Sequence, residues 1–222
     1  MTVTDRRSLS RCGVVGDVHC EADVLERVLD ALDALEVTTV LCVGDLVDGD
    51  GDADRTLALL EDRGVECVAG NHERWFLTGE HRMVEHATES VNDRSRAFLE
   101  ALPRMRHYDT AQGGALLCHG VGQADEAWLE PDTKGYALQD IPTLRDLMLD
   151  EDVRFMIGGH THKHMIRVFP GLTVVNAGTI HRRNDQTFSV IDFERLTVDV
   201  HAAEPPHRVL DHQPLPIPPV PA

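Results

Sequence analysis

The segment CGVVGDVHCEADVLERVLDALDALEVTTVLCVGD (residues 12–45) contains two apolar, β-branched runs of strand length, CGVVGD (12–17) and VTTVLCVGD (37–45), each ending in Gly-Asp. Between them Val24, Leu25, Val28, Leu29, Leu32 and Leu35 recur at the spacing of one helix face. Strand, helix and strand of these lengths make a β-α-β unit, whose crossover is right-handed. The pattern continues outward. DRTLALLEDRG (54–64) predicts a short helix leading into VECVAGNHE (65–73), and NDRSRAFLEAL (92–102) a helix capped by Asn92 or Asp93. GGALLCHG (113–120), VRFMIGGHTH (153–162), LTVVNAGT (172–179), FSVIDFE (188–194) and LTVDVHAA (196–203) predict strands, and TLRDLMLDE (143–151) one more helix.

Apolar strands joined by helices need cover on both faces, and the late hairpin FSVIDFE-R-LTVDVHAA makes part of the sheet antiparallel. The expected class is α/β, with two mixed sheets flanked by helices in one domain over residues 10–204. From Pro205 onward, PPHRVLDHQPLPIPPVPA holds seven of the 11 prolines and has neither helical nor strand period. Residues 205–222 are therefore expected to form an extended, largely disordered tail.

The chain has 222 residues, with 21 Lys+Arg against 38 Asp+Glu and a formal charge of −17. That charge repels phosphate backbones and anionic membranes at long range, so nonspecific nucleic-acid or membrane binding is not expected. A phosphate ligand has to be attracted locally, by a metal or a few arginines. No stretch approaches the roughly 18 apolar residues of a membrane span and no apolar leader is visible, so a cytoplasmic location is expected. No oligomeric state is implied. Five cysteines, at 12, 20, 42, 67 and 118, form no C-x-x-C pair, which argues against a disulfide framework or a thiolate zinc site. Four lie in apolar runs and read as buried small hydrophobes. Cys20 follows a site motif and is expected near it.

Chemistry collects at the strand ends. Gly16-Asp17-Val18-His19, Gly44-Asp45, Gly70-Asn71-His72-Glu73, Cys118-His119-Gly120 and Gly159-His160-Thr161-His162 each close a predicted strand with an oxygen or imidazole ligand. Loops at the carboxyl ends of strands converge over one crevice in α/β folds. Paired ligands two apart, such as Asp17 and His19, are expected to point the same way along an extended segment. Carboxylate, amide and imidazole donors without thiolate suit Mn²⁺, Fe, Co²⁺, Ni²⁺ or Zn²⁺. Seven ligands and bases exceed the needs of one ion, whereas two ions about 3.5–4 Å apart and sharing a carboxylate would use them all.

In this order the motifs resemble the calcineurin-like metallophosphoesterase superfamily, over most of the chain. TVVNAGTIHRRNDQTFSVIDFE (173–194) further resembles the Asn-(Pro/Ala)-Gly-(Ser/Thr) stretch closing the small bacterial phosphodiesterase-like branch. The resemblance implies a four-layer α-β-β-α sandwich with a dinuclear centre along the top of the sheets. It implies Asp17, His19 and His162 on the first metal, Asn71, His119 and His160 on the second, Asp45 bridging, and His72 as proton donor. Two divalent ions, Mn²⁺ foremost, are the implied cofactors. The implied activity is phosphodiester or phosphomonoester hydrolysis of a small molecule, nucleotide or phosphoprotein, in which a metal-bridging hydroxide attacks phosphorus and His72 protonates the leaving alkoxide. Cys20 departs from the pattern, standing where Gly is usual. The family also contains a protein-binding subunit without turnover; the intact donor set, His72 included, favours an enzyme over such a silent scaffold.

Five further residues are candidates for substrate contact: Arg74, Arg182 and Arg183, because guanidinium suits bidentate phosphate recognition, and His164 and His181, which closely follow site motifs. The competing reading of the arginines is ordinary loop surface. His81, His86, His107, His201, His207 and His212 lack such placement and read as structural or surface. DGDGDAD (48–54) is no calcium loop, because Ala53 replaces the required Gly and Leu59 the closing Glu. Asp48 is expected in a solvated loop, exerting a secondary acidic influence on the metals. VGQADEAWLEPDTKGYALQD (121–140) carries Trp128 and Tyr136, which read as a lid or base-stacking wall or, more conventionally, as the hydrophobic anchor of a long loop.

Overall fold

The computed structural model describes residues 6–219. The first half runs β1 (Arg7–Ser8), β2 (Arg11–Val15), α1 (Ala22–Ala34), β3 (Val40–Cys42), α2 (Ala53–Asp62), β4 (Glu66–Cys67), α3 (Asn71–Thr78) and α4 (Asp93–Ala101). The second half runs β5 (Met105–Thr110), β6 (Gly113–Cys118), α5 (Tyr136–Gln139), α6 (Pro142–Met148), β7 (Phe155–Gly158), β8 (Met165–Phe169) and β9 (Leu172–Asn176). It closes with β10 (Thr187–Asp192), β11 (Thr197–Ala202) and β12 (Val209–Pro214).

The strands form two mixed sheets, in the orders β12-β11-β10-β2-β3-β4 and β1-β5-β6-β7-β9-β8. In the first, β2, β3 and β4 are parallel and the β10–β11–β12 side is antiparallel. In the second, β6, β7 and β9 are parallel, with antiparallel partners β5 and β8.

Period-two alternation assigns each strand's faces. Cys12 and Val14 on β2, Leu41 on β3, Leu117 on β6 and Phe155 and Ile157 on β7 meet in one cluster between the sheets. Their neighbours Val15 and Cys42 turn to the opposite face, where Leu25, Val28 and Leu32 of α1 and Leu57 and Leu60 of α2 cover them. Leu116, Cys118 and Met156 likewise face out from the second sheet, under Leu129, Ile141 and Leu144. Two central sheets with helical cover on both outer faces make four layers, α-β-β-α. Burying side chains such as Leu25 and Leu32, which retain no accessible surface, stabilises the fold by about 1.5–3 kcal/mol each. Asp52 and Asn92 cap α2 and α4 by accepting from the Arg55 and Ser95 amides.

Residues 205–219 are not the disordered tail that their composition predicts; residues 220–222 lie outside the described part. β12 pairs antiparallel with β11, and Leu215 is 2% exposed within the inter-sheet cluster. Beyond it the carbonyls of Pro216, Pro218 and Pro219 accept from Thr173 Oγ1, the Arg154 guanidinium and the Gly171 amide. Proline lacks a donor but keeps its acceptor, so a segment that only accepts can lie along a sheet edge.

Candidate metal centre

The candidate ligands sit on loops leaving β2, β3, β4, β6 and β7, so both sheets contribute carboxyl ends to one site. Asp17, His19, Asp45 and His162 place donor atoms within 4.8 Å of one another, as do Asp45, His119 and His160. Asp45 belongs to both groups. Asn71 joins the second through its Oδ1, 2.9 Å from His119 Nε2.

The paired ligands do not share a direction because their segments are extended. Asp17, His19, Asp45, His160 and His162 all have left-handed φ, between 28° and 71°. Each strand breaks into a tight turn where its donor emerges, a conformation costly for non-glycine residues and retained at functional sites. Hydrogen bonds hold these turns: Thr179 Oγ1 donates to the Asp17 carbonyl, and the His160 amide donates to the Asp17 carboxylate. Asn176, from the Asn-Ala-Gly stretch, donates to the Gly159 carbonyl. A side chain on Gly70 would place its Cβ 2.2 Å from Asp45 Oδ1, so only glycine admits this carboxylate.

The imidazoles are oriented as ligands. His19 Nδ1 donates to the Asp48 carbonyl at 2.8 Å, and His162 Nδ1 faces the Asn184 amide oxygen at 3.2 Å. Each ring therefore presents a bare Nε2, and the two Nε2 atoms are 3.3 Å apart. Lone pairs at that distance repel; a cation between them turns the repulsion into coordination. His119 Nδ1 likewise donates to the Val43 carbonyl, but without a cation its Nε2 carries a proton and points it at Asn71 Oδ1 and, at 3.2 Å, Asp45 Oδ2; a bound cation would take that proton's place. Donor set and geometry fit divalent ions.

Charge follows the same logic. Burial pushes His19 and His160 down to about 4, so both are neutral at pH 7. Burial raises Asp17 to about 8. It works the same way on Asp45, but His119, His72 and His19 outweigh it and hold that carboxyl well below its usual range. Burial lowers His119, yet Asp45 and Asp17 reverse this and bring it to about 10.

His72 lies at the rim, its Nε2 3.9 Å from Asp45 Oδ2. Its Nδ1 meets Asp48 Oδ2 at 2.8 Å. Asp48 is therefore not in a solvated loop: it is 4% exposed, receives two bonds from Arg82, and accepts from the Thr88 amide. Its burial follows from the turn after β3, which folds under α3. Although burial opposes protonation of His72, Asp48 and Asp45 prevail and raise it above its ordinary value.

Sequence reasoning missed Glu73. It is fully buried at the start of α3 and accepts from the Gly70, Asp45 and Leu46 amides, clamping the β3 turn to the helix that presents Asn71 and His72. A glycine three residues before a glutamate, ahead of an apolar run, is a helix-start signal that could have revealed it. Cys20 lies beside the site as expected, but burial pushes its thiol up to about 12, which makes it inert.

The substrate candidates are dispersed. Arg74 is engaged by Asp125, Glu126 and Glu80, Arg182 by Glu21, and Arg183 by Glu85. His181 does approach the site, its ring 4.9 Å from that of His19. His164 lines a neighbouring cleft together with His162 and Asn184, and its buried Nε2 has no partner.

Residues 11–196 match the calcineurin-like phosphoesterase superfamily domain, and the chain belongs to that family. A probable metallophosphoesterase of Methanothermobacter thermautotrophicus is 28% identical over 196 residues, 85% of this chain and 90% of that protein. Among solved structures, a hypothetical protein of Pyrococcus horikoshii aligns with TM-score 0.69 at 14% identity, covering 88% of each chain. A metallophosphoesterase of Sphaerobacter thermophilus aligns with TM-score 0.62 at 19% identity, covering 90% of each. No helix among the described residues is long and apolar enough to cross a membrane.

Proposed function

We propose that this phosphoesterase is a hydrolase with two divalent cations, Mn²⁺ foremost, and that it acts on a phosphomonoester or phosphodiester in solution. The observation that supports it best is the pair of donor groups sharing Asp45 beside a carboxylate-held His72. Asp17, His19 and His162 would hold one cation, Asn71, His119 and His160 the other, with Asp45 common to both groups. When bound, the pair supplies positive charge against the phosphoryl oxygens and makes a water acidic enough to attack at neutral pH.

The chain's own groups do the rest. Asp48 accepts from His72 Nδ1, aims the ring and favours its protonated form, in which Nε2 holds a proton for the departing oxygen. Because Arg74, Arg182 and Arg183 are each held by carboxylates, phosphate charge would fall to the cations rather than to guanidinium. His181, with its ring 4.9 Å from that of His19, would touch the substrate.

Hydrolysis of p-nitrophenyl phosphate and bis-p-nitrophenyl phosphate with added Mn²⁺ tests the reading. Turnover that requires Mn²⁺ and disappears in Asp45→Asn supports it. Inertness of metal-loaded wild type on both esters and on nucleotides overturns it in favour of a silent scaffold.

A further inference from the structure

The loop of residues 121–140 is anchored by Leu129, which is 3% exposed under the second sheet, and not by Trp128, which is 54% exposed. The Trp128 ring stands edge-on to His160, with centroids 5.2 Å apart at 83°. It also lines a cleft of about 500 Å³ whose walls include Ala127, Ala137, Ile141 and Pro142. The indole thus stands half exposed between a candidate metal ligand and the cleft. Tyr136 takes no part in the cleft lining.

The polar groups of the cleft narrow what it takes. The carboxylates of Glu126 and Asp140 line it, and no lysine or arginine does. Glu126 already accepts from Arg74 and Trp75, whereas among the described residues Asp140 has no cationic partner. An acidic cleft repels a second phosphate or a carboxylate. It accepts a flat, uncharged group with N–H donors on its edge, and the volume is in the usual range for a small-molecule site.

We propose that this cleft is the subsite for the purine base of a nucleotide ester, with Trp128 as its stacking face and Asp140 as acceptor for the base's amino edge. Trp128 is a specificity residue, touching the substrate away from the reacting phosphorus. The inference rests on the reading of the adjoining centre as a phosphoester site, and it excludes substrates carrying further phosphates at that end.

Two measurements test it. The first titrates adenosine, which has no phosphate, into the protein without added metal while intrinsic fluorescence is recorded; Trp75 and Trp128 are the two tryptophans. Saturable quenching in wild type that is lost in Trp128→Phe supports the subsite. Quenching that rises linearly with adenosine, or that is the same in Trp128→Phe, overturns it. The second compares the p-nitrophenyl esters of adenosine 5′-phosphate and methyl phosphate with Mn²⁺ present. Trp128→Ala is expected to raise KM for the adenosine ester about tenfold more than for the methyl ester. Ala137→Phe, which adds a ring inside the cleft, is expected to do the same. Equal effects on the two esters overturn the proposal. Trp128-dependent binding of adenosine without turnover of either ester supports the subsite and removes the hydrolase reading instead.

Discussion

Asp48 Oδ2 lies 2.8 Å from His72 Nδ1, and the same carboxylate receives both terminal nitrogens of Arg82. The pair joins the turn after β3 to the first turn of α3 and sets which nitrogen of His72 faces Asp45. Asp48→Asn is expected to lower kcat by about 10–100-fold while leaving KM nearly unchanged, because it acts on the orientation and charge of a group it does not replace. His72→Ala is expected to cost about 10²–10⁴-fold on alkyl esters and far less on p-nitrophenyl esters, whose leaving group needs no proton. Rates measured against leaving-group pKa check both; a uniform loss across leaving groups contradicts the acid role.

Removing divalent ions should loosen the protein without unfolding it. The inter-sheet core is independent of the donors, but opposed lone pairs at His19 and His162 relax once a cation binds. At a Mn²⁺ concentration 100 times Kd, ligation adds about 2.7 kcal/mol, or roughly 5–10 °C in Tm for a chain of this size. Calorimetry with EDTA and with Mn²⁺ reads this directly, and Asp45→Asn should abolish the difference.

Asp17 sets a pH dependence in the metal-free protein. Its folded pKa, raised by burial to about 8, exceeds the unfolded value, so its proton stabilises the fold fully below about pH 4. That contribution is lost as pH rises through 8, where an ionised Asp17 faces Asp45. Asp17→Asn in EDTA should therefore come nearest to wild type near pH 4 and exceed it in stability by a margin that grows up to about pH 8. It should also lose the stabilisation by Mn²⁺. Parallel Tm profiles for the two proteins would refute the assignment.

Leu215 tests the closing segment. With 2% exposure in the inter-sheet cluster, Leu215→Ala should cost about 2–4 kcal/mol. Ile217, at 46% exposure, should tolerate alanine with little change. Urea denaturation of the two variants distinguishes a packed segment from a disordered one.

Much of this was legible beforehand because local periodicity and strand-end chemistry are written in adjacent residues. α1, α2 and α4 appear where apolar spacing places them, with Asp52 and Asn92 capping the latter two. All seven donors named from their motifs converge, because the parallel strands of both sheets direct their carboxyl ends to one side. β1, β5, β8 and β12 escaped notice: three are edge strands, and β5 is half exposed with little alternation. Arg74 and Arg182 look available in sequence, but their carboxylate partners are 51 and 161 residues distant.

The opening β-α-β unit, the helices α1, α2 and α4, the turn glycines and the candidate donors could be read from the sequence alone, because each depends on residues within a turn or two of one another. The tertiary structure decided which nitrogen each histidine presents, that Asp48 is buried against His72, that Glu73 pins the turn after β3, and that Trp128 faces an open cleft. Those are contacts between segments far apart in the chain, where the competing partners of a polar group are brought into reach only by the packing of the two sheets.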